Sequence, residues 1–441
     1  MNTKSFLLST AALLAAVSAM SAQSIPDLPG LFGRQGRSQE NAVKVEYGVD
    51  FQYFFDLRSF GASDEIFMKT ETFNLARFSP SAIVRFDQGR DATHRLALGI
   101  DLTKDLGVNP TSDVTYSDAE HDSSIRNTGL MKDIFFYYNY RNRTGKGILD
   151  LYAGIHPRTV LEGEYTRAIF ADDINYYDPN LEGMTFKYAA PKFSAELSTD
   201  LIGKKGVDRV GGEMVTTAGV YKPFKWASAG WAASYTHVNG TYIYPSDVES
   251  VIINPYIKLD AGPLIGMQAL SLKAGALASY QFDYRIEDEQ PHFPMGFEAV
   301  LNVRHWNLGL ENTFFYGDNM MVYYSASYGS ISSAAVYAST LYSGDDFYFT
   351  HRGFPAWYDR AELYWKPLEK GFVSTRFSAV AHFVLPTDTI GPFIGMQAKA
   401  SLIFNLDAFR HPKESVQQGR ARSSSRGERS SREAGGPIFR L

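Results

Sequence analysis

The chain has 441 residues, a formal charge of −5, no cysteine, and 14% aromatic residues, among them 27 Tyr and 31 Phe. Zero cysteine excludes disulfides, thiolate metal sites and cysteine nucleophiles, and the modest charge gives no reason to expect a nucleic-acid partner. Beyond the N-terminus no apolar run approaches the roughly 18 residues of a membrane helix, so a chain this rich in Tyr, Phe and Gly suits an all-β protein.

Residues 1–22 read as a signal peptide: Lys4 is the positive start, Phe6 to Val17 the apolar core, and Ala19-Met20-Ser21-Ala22 the small-residue cleavage region. No Cys follows, so no lipid anchor is expected. Residues 23–41, broken by Pro26, Pro29, Gly30, Gly33 and Gly36, form a periplasmic linker. From residue 42 to 409 the pattern has period two. Val43, Val45, Tyr47, Val49, Phe51, Tyr53 and Phe55 alternate with polar or small residues, the pattern of a strand with one oily face. A loop runs to about Thr72, and two strands follow, one with Ala82, Val84 and Phe86 on a shared face and one with Leu96, Leu98, Ile100 and Leu102, joined by Gln88-Gly89-Arg90-Asp91. After a polar loop of roughly 25 residues, Ile134 to Tyr140 leads through Arg143-Thr144-Gly145-Lys146 into Ile148 to His156.

A long insert rich in acids, arginines and tyrosines separates that strand from Gly183 to Ala189. Further strands are expected near 183–190, 193–202, 213–222, 226–237, 251–260, 269–284, 294–304, 306–317, 358–366, 371–384 and 393–409. Their connections alternate between short turns and long loops. About sixteen strands sorted in this way predict a transmembrane antiparallel β-barrel of the outer membrane, with short periplasmic turns and long extracellular loops. Lipid offers no hydrogen bonds, so only a closed sheet can pair every strand edge there. The oily face then meets lipid, small or polar residues fill the lumen, and Tyr280, Phe282 and Tyr284 suit an interfacial girdle. Residues 410–441, dominated by Ser, Arg and Gly, read as a disordered tail. Phe409 before it is the terminal aromatic expected to engage the barrel assembly machinery.

Chemistry is expected in the insert after Ile155. His156 closes the strand on the lumen side, and Glu162 and Asp173 are the carboxylates that pair with it in general base catalysis. Asp172 and Asp173, with Asn180, could instead hold calcium. Arg158 and Arg167 suit a bidentate phosphate clamp, and Tyr176, Asn180 and, from another strand, Glu311 complete the expected substrate contacts. Alternatively, the same charges line a wet constriction. Glu298, Arg304 and Glu311 are expected to neutralise one another across the lumen. Soluble-enzyme motifs are missing: no phosphate loop, dinucleotide fingerprint or helical zinc motif is present.

The segments GIHPRTVLEGEYTRAIFADDINYYDPNLEG, DLIGKKGVDRVGGEMVTTAGVYKP, ENTFFYGDN, LYSGDDFY and DRAELYWKP resemble a family of Bacteroidetes-type outer-membrane barrels that includes a lipid A deacylase. The likeness spans roughly residues 145 to 408. Leu201, where that pattern has an aromatic, and Gly212, where it has an arginine, depart from it. The resemblance implies an ester hydrolase acting on lipopolysaccharide, with His156 as base, water or a serine as nucleophile, and Arg158 or an amide at the oxyanion. A porin or solute channel is the alternative. A secretion-associated barrel that uses the tail as a periplasmic contact is the third reading.

Overall fold

The computed structural model describes residues 43–61, 70–89, 91–106, 130–172, 174–203, 211–239, 247–284, 288–324, 344–349, 356–388 and 390–405. The expected signal peptide, linker, Phe409 and Arg/Ser-rich tail lie outside them.

Sixteen long strands are described. They are β1 Val43–Phe60, β2 Thr72–Gln88, β3 Ala92–Asp105, β4 Leu130–Thr144, β5 Gly147–Pro157, β6 Asn180–Ala189, β7 Phe193–Gly203 and β8 Gly211–Tyr221. They continue as β9 Ala227–Asn239, β10 Asp247–Asp260, β11 Ala269–Asp283, β12 Met295–His305, β13 Leu308–Gly317, β14 Ala356–Trp365, β15 Val373–Val384 and β16 Phe393–Asn405. A two-residue ladder, Glu369–Lys370, decorates the β14–β15 turn. Every strand pairs antiparallel with its sequence neighbours, and β1 pairs with β16 from Asp50↔Asn405 to Phe60↔Gly395. The sheet is therefore a closed up-and-down barrel with no open edge, as a lipid environment demands.

Two prolines show how the ladder absorbs a missing donor. β2 begins at Thr72, where the preceding loop is expected to end, and runs through Pro80 without a break. Pro80 keeps its register with Val49 on β1, while pairing to β3 skips from Phe78↔Leu102 to Ser81↔Gly99. In β10, Pro255 leaves the backbone of Ala276 unserved, and the Asn254 side-chain amide donates to the Ala276 carbonyl at 2.9 Å.

Alternation sorts the two faces. Leu98, Ile134, Ile257, Leu272, Leu310 and Leu363 are exposed on the outer wall, where they form a lipid-facing band, and Asp101, Asp150, His156, Lys273, Gln281 and Arg360 are buried inside. The lumen is not uniformly polar, contrary to expectation. Ile202, Met214, Val248, Ile252, Leu277 and Phe315 point inward and form one apolar cluster with Ala168, Ile169, Met320, Met321, Phe347 and Tyr348 from two long loops. The described parts of those loops lie inside the barrel, so the inward apolar side chains are buried against protein and gain the usual transfer energy.

Candidate functional site

The connection from β5 to β6, residues 158–179, does not project outward. It enters the lumen and meets the wall on several sides. Its descending arm is tied low in the barrel: the Glu196 carboxylate accepts from the backbone N–H of Glu162 and of Gly163, both at 2.9 Å. Lys187 donates to the Val160 carbonyl at 2.6 Å, and Lys258 pairs with Glu164 at 2.8 Å. Beyond the apex, Thr166 and Tyr348 each donate to Glu298 at 2.6 Å. Arg167 bridges Asp172 at 3.0 Å and Asp345 at 2.8 Å. Asp172 then reaches Lys399 of β16 and lies 3.9 Å from Arg360 of β14. The loop closes with the ring of Tyr176 packed on Phe54 and Phe73.

Burial alone would raise the pKa of the Asp172 carboxyl, but Arg167, Lys399 and Arg360 hold it well below the usual carboxylate range. Arg167 is correspondingly held above its ordinary value, burial being outweighed by Asp172 and Asp345. Both stay charged at any physiological pH, so the loop is riveted electrostatically across the lumen.

The site residues expected from sequence fall into separate groups. His156 is fully buried. Its Nδ1 lies 2.9 Å from the Gly154 carbonyl, and its Nε2 lies 2.8 Å from Thr185 Oγ1, which in turn meets Ser198 Oγ at 2.9 Å. Gly154 has φ +112°, a conformation that glycine adopts freely. A carbonyl can only accept, so Nδ1 carries the proton and Nε2 accepts from Thr185. Glu162 instead pairs with Lys187 at 2.9 Å. His156 lies opposite Leu181 and Lys187 opposite Asp150, a six-residue offset of about 20 Å along the strands. The two are not brought together.

Arg158 is buried and committed: its Nη2 contacts Asp178 at 2.5 Å and Asp200 at 2.8 Å. The Asn180 amide donates to Asp101 at 2.7 Å and to Asp133 at 2.9 Å. Glu311 lies 3.9 Å from Arg360. Arg158 and Arg167 therefore hold different carboxylates instead of converging on one phosphate. Asp173 lies outside the described residues. Among the described residues no group of three or more His, Asp or Glu side chains could hold a metal, and a calcium ion at Asp172 would have to displace three cations. The expected mutual neutralisation of Glu298, Arg304 and Glu311 does not occur, because Arg304 pairs with Glu369 at 2.5 Å. Glu298 and Arg304 are six residues apart on one strand, about 20 Å.

Two cavities flank the loop and extend to the short-turn rim. One, about 510 Å³, is lined by Asp50, Gln52, Glu311, Arg376, Lys399 and Asn405 among others. The other, about 410 Å³, lies by the descending arm and includes Asp150, Glu164, Lys187 and Lys192. Glu196, Asp200, Asp345, Arg360, Lys399 and Glu362, which pairs with Arg360 at 2.6 Å and with Arg376 at 2.7 Å, are the functional candidates that sequence reasoning missed. Asp200, Asp345, Arg360 and Glu362 fall within the segments that carry the family resemblance, Glu196 and Lys399 had only an inward strand phase, and nothing in spacing links Lys399 to Asp172, 227 positions earlier.

A closed antiparallel barrel with an apolar exterior, a charged interior and one long loop folded across the lumen is an outer-membrane β-barrel protein. Solved outer-membrane proteins align with it over nearly their whole length. A loop L8 deletion mutant of OmpT from Vibrio cholerae aligns at TM-score 0.48 and 7% identity, covering 82% of this chain and 99% of that one. Salmonella typhi OmpF in complex with daunomycin aligns at 0.43 and 11%, covering 83% and 98%. Pseudomonas aeruginosa OpdK with vanillate aligns at 0.39 and 8%, covering 82% and 98%. At such values these likenesses assign no function. No protein-family profile and no curated protein matches the chain.

Proposed function

We propose that this protein is a diffusion channel of the outer membrane for small hydrophilic solutes. The observation that carries the proposal is the β5–β6 loop, pinned across a charged lumen by Asp172 and leaving water-accessible space beside it. Such a device narrows a path without sealing it. An apolar cluster that runs from Ile202 on β7 round to Tyr358 on β14, Val384 on β15 and Ile394 on β16 fills part of the lumen and narrows it further. Insertion by the barrel assembly machinery and contact with lipopolysaccharide belong to the same proposal.

Lipid A deacylation has less support. Both His156 nitrogens are occupied within the wall, His156, Thr185 and Ser198 are all buried, and Glu162 lies near the opposite rim. Two parallel measurements separate the readings. Purified protein in planar bilayers is expected to give discrete conductance steps, while lipid A from cells with and without the gene has the same mass. Absence of steps, together with a missing acyl chain only where the gene is present, would overturn the channel in favour of the hydrolase.

A further inference from the structure

The short turns differ sharply around the rim. Around β2–β5 they are polar: Gln88 and Asp91 in one, Arg143, Thr144 and Lys146 in the next, all exposed. From β8 to β13 they carry large exposed apolar side chains. Phe224 and Trp226 stack at 5.3 Å in the β8–β9 turn, Leu264 and Ile265 are 66% and 59% exposed in the β10–β11 turn, and Trp306 is 84% exposed in the β12–β13 turn.

These turns are joined side to side. The Asp260 N–H donates to the Trp226 carbonyl at 2.7 Å, Gln268 and Asn307 exchange bonds at 2.8 and 2.9 Å, and the Lys366 N–H donates to the Asn307 carbonyl at 2.8 Å. The apolar side chains are therefore presented on a braced rim. Trp306 adds a second, independent observation. It occupies the first position of a two-residue turn with φ +50°, followed by Asn307 at φ +66°. Glycine or asparagine suits such a turn, and a bulky residue there is a strained outlier. A local cost held by an almost fully exposed indole points to a use for the indole.

From these observations we propose that the β8–β13 sector of the short-turn rim is sunk into the headgroup region of the adjoining phospholipid leaflet, tilting the barrel toward that side. The patch is continuous with the lipid-facing wall directly above it, where Ile257, Leu259, Leu272 and Leu308 are exposed. Indole rings favour the interface between headgroups and chains. Exposed Lys225, between Phe224 and Trp226, is placed to meet a lipid phosphate. The polar turns on the other side remain in water.

The chain has no cysteine, so single-cysteine variants report cleanly. Ile265→Cys and Thr144→Cys, each carrying an environment-sensitive fluorophore, are placed in single-barrel nanodiscs of phosphatidylethanolamine and phosphatidylglycerol. The label at 265 is expected to be quenched by headgroup-proximal spin-labelled lipid and to be several-fold less open to aqueous iodide than the label at 144. Adding Trp306→Ser to the Ile265→Cys protein is expected to restore iodide access, with the barrel still folded by its unheated gel mobility. Equal iodide access at 265 and 144 would overturn the proposal. So would protection seen only in vesicles at high protein density, which would identify a second copy as the occupant.

Discussion

Asp172 is a loop carboxylate whose whole role depends on distant partners. With Arg167, Lys399 and Arg360 around it, Asp172→Asn removes one charge from a network of four. The carboxylate is 38% exposed, so screening limits the stability loss to about 1 kcal/mol. The loop is nevertheless freed, and single-channel recording is expected to show larger, noisier conductance steps than the native protein. Asp200 offers the buried contrast. It and Arg158 are almost fully enclosed, so Asp200→Ala strands a buried guanidinium beside Asp178 alone and is expected to cost about 3 kcal/mol in urea unfolding. Asp178 has the opposite electrostatics to Asp172: burial pushes its carboxyl up to about 6 against the pull of Arg158, with Asp200 adding to the rise. Between about pH 4 and 6 the folded state therefore holds a proton that the unfolded chain has lost. Its contribution to stability accordingly increases as pH falls from 6 toward 4. Half of the side chain is open to the lumen, which softens the effect. Unfolding midpoints across that window are expected to vary less with pH in Asp178→Asn.

At the scale of elements, the β5–β6 loop and the strand pairs are held by different physics. The loop is held by point contacts, Glu196 among them. Glu196→Ala leaves the N–H groups of Glu162 and Gly163 unserved, and limited proteolysis is expected to cut the loop faster while sparing the barrel. The strands are held by continuous ladders and by rings laid over glycines. Gly219 lies opposite Trp231, whose ring occupies the space that a Cβ at 219 would need. Gly219→Ala must therefore displace the indole, and a loss of about 1–3 kcal/mol in thermal or urea unfolding is expected. Strand boundaries were legible in the sequence wherever alternation was clean, as along β11. At Pro80 the strand's start near Thr72 was still legible from the end of the preceding loop, although a shared face could be read only from Ala82 onward.

For the whole molecule, closure between β1 and β16 makes folding of the barrel cooperative, and the loop inside it decides what the barrel admits. The channel proposal predicts a conductance well below that of an unobstructed barrel of sixteen strands, because the riveted loop and the apolar cluster packed against it both occupy the lumen. Recording in planar bilayers checks it. Conductance near that of an open barrel would mean that the loop does not stay in the lumen.

Alternation of apolar and polar residues, spaced by short turns and long loops, was enough to determine a sixteen-strand antiparallel barrel with a charged interior. Side-chain direction along a strand is a local property with a period of two, so it can be read one strand at a time. The insert after His156 was equally visible as unusual, since its density of acids, arginines and tyrosines is also local. Only the tertiary structure decided what those groups do. It sent His156 into the wall beside Thr185, sent Glu162 down to Lys187, and joined Asp172 to Lys399 across the lumen. Barrel closure brings residues together around a ring, and the partner of a charge on that ring has no fixed distance along the chain.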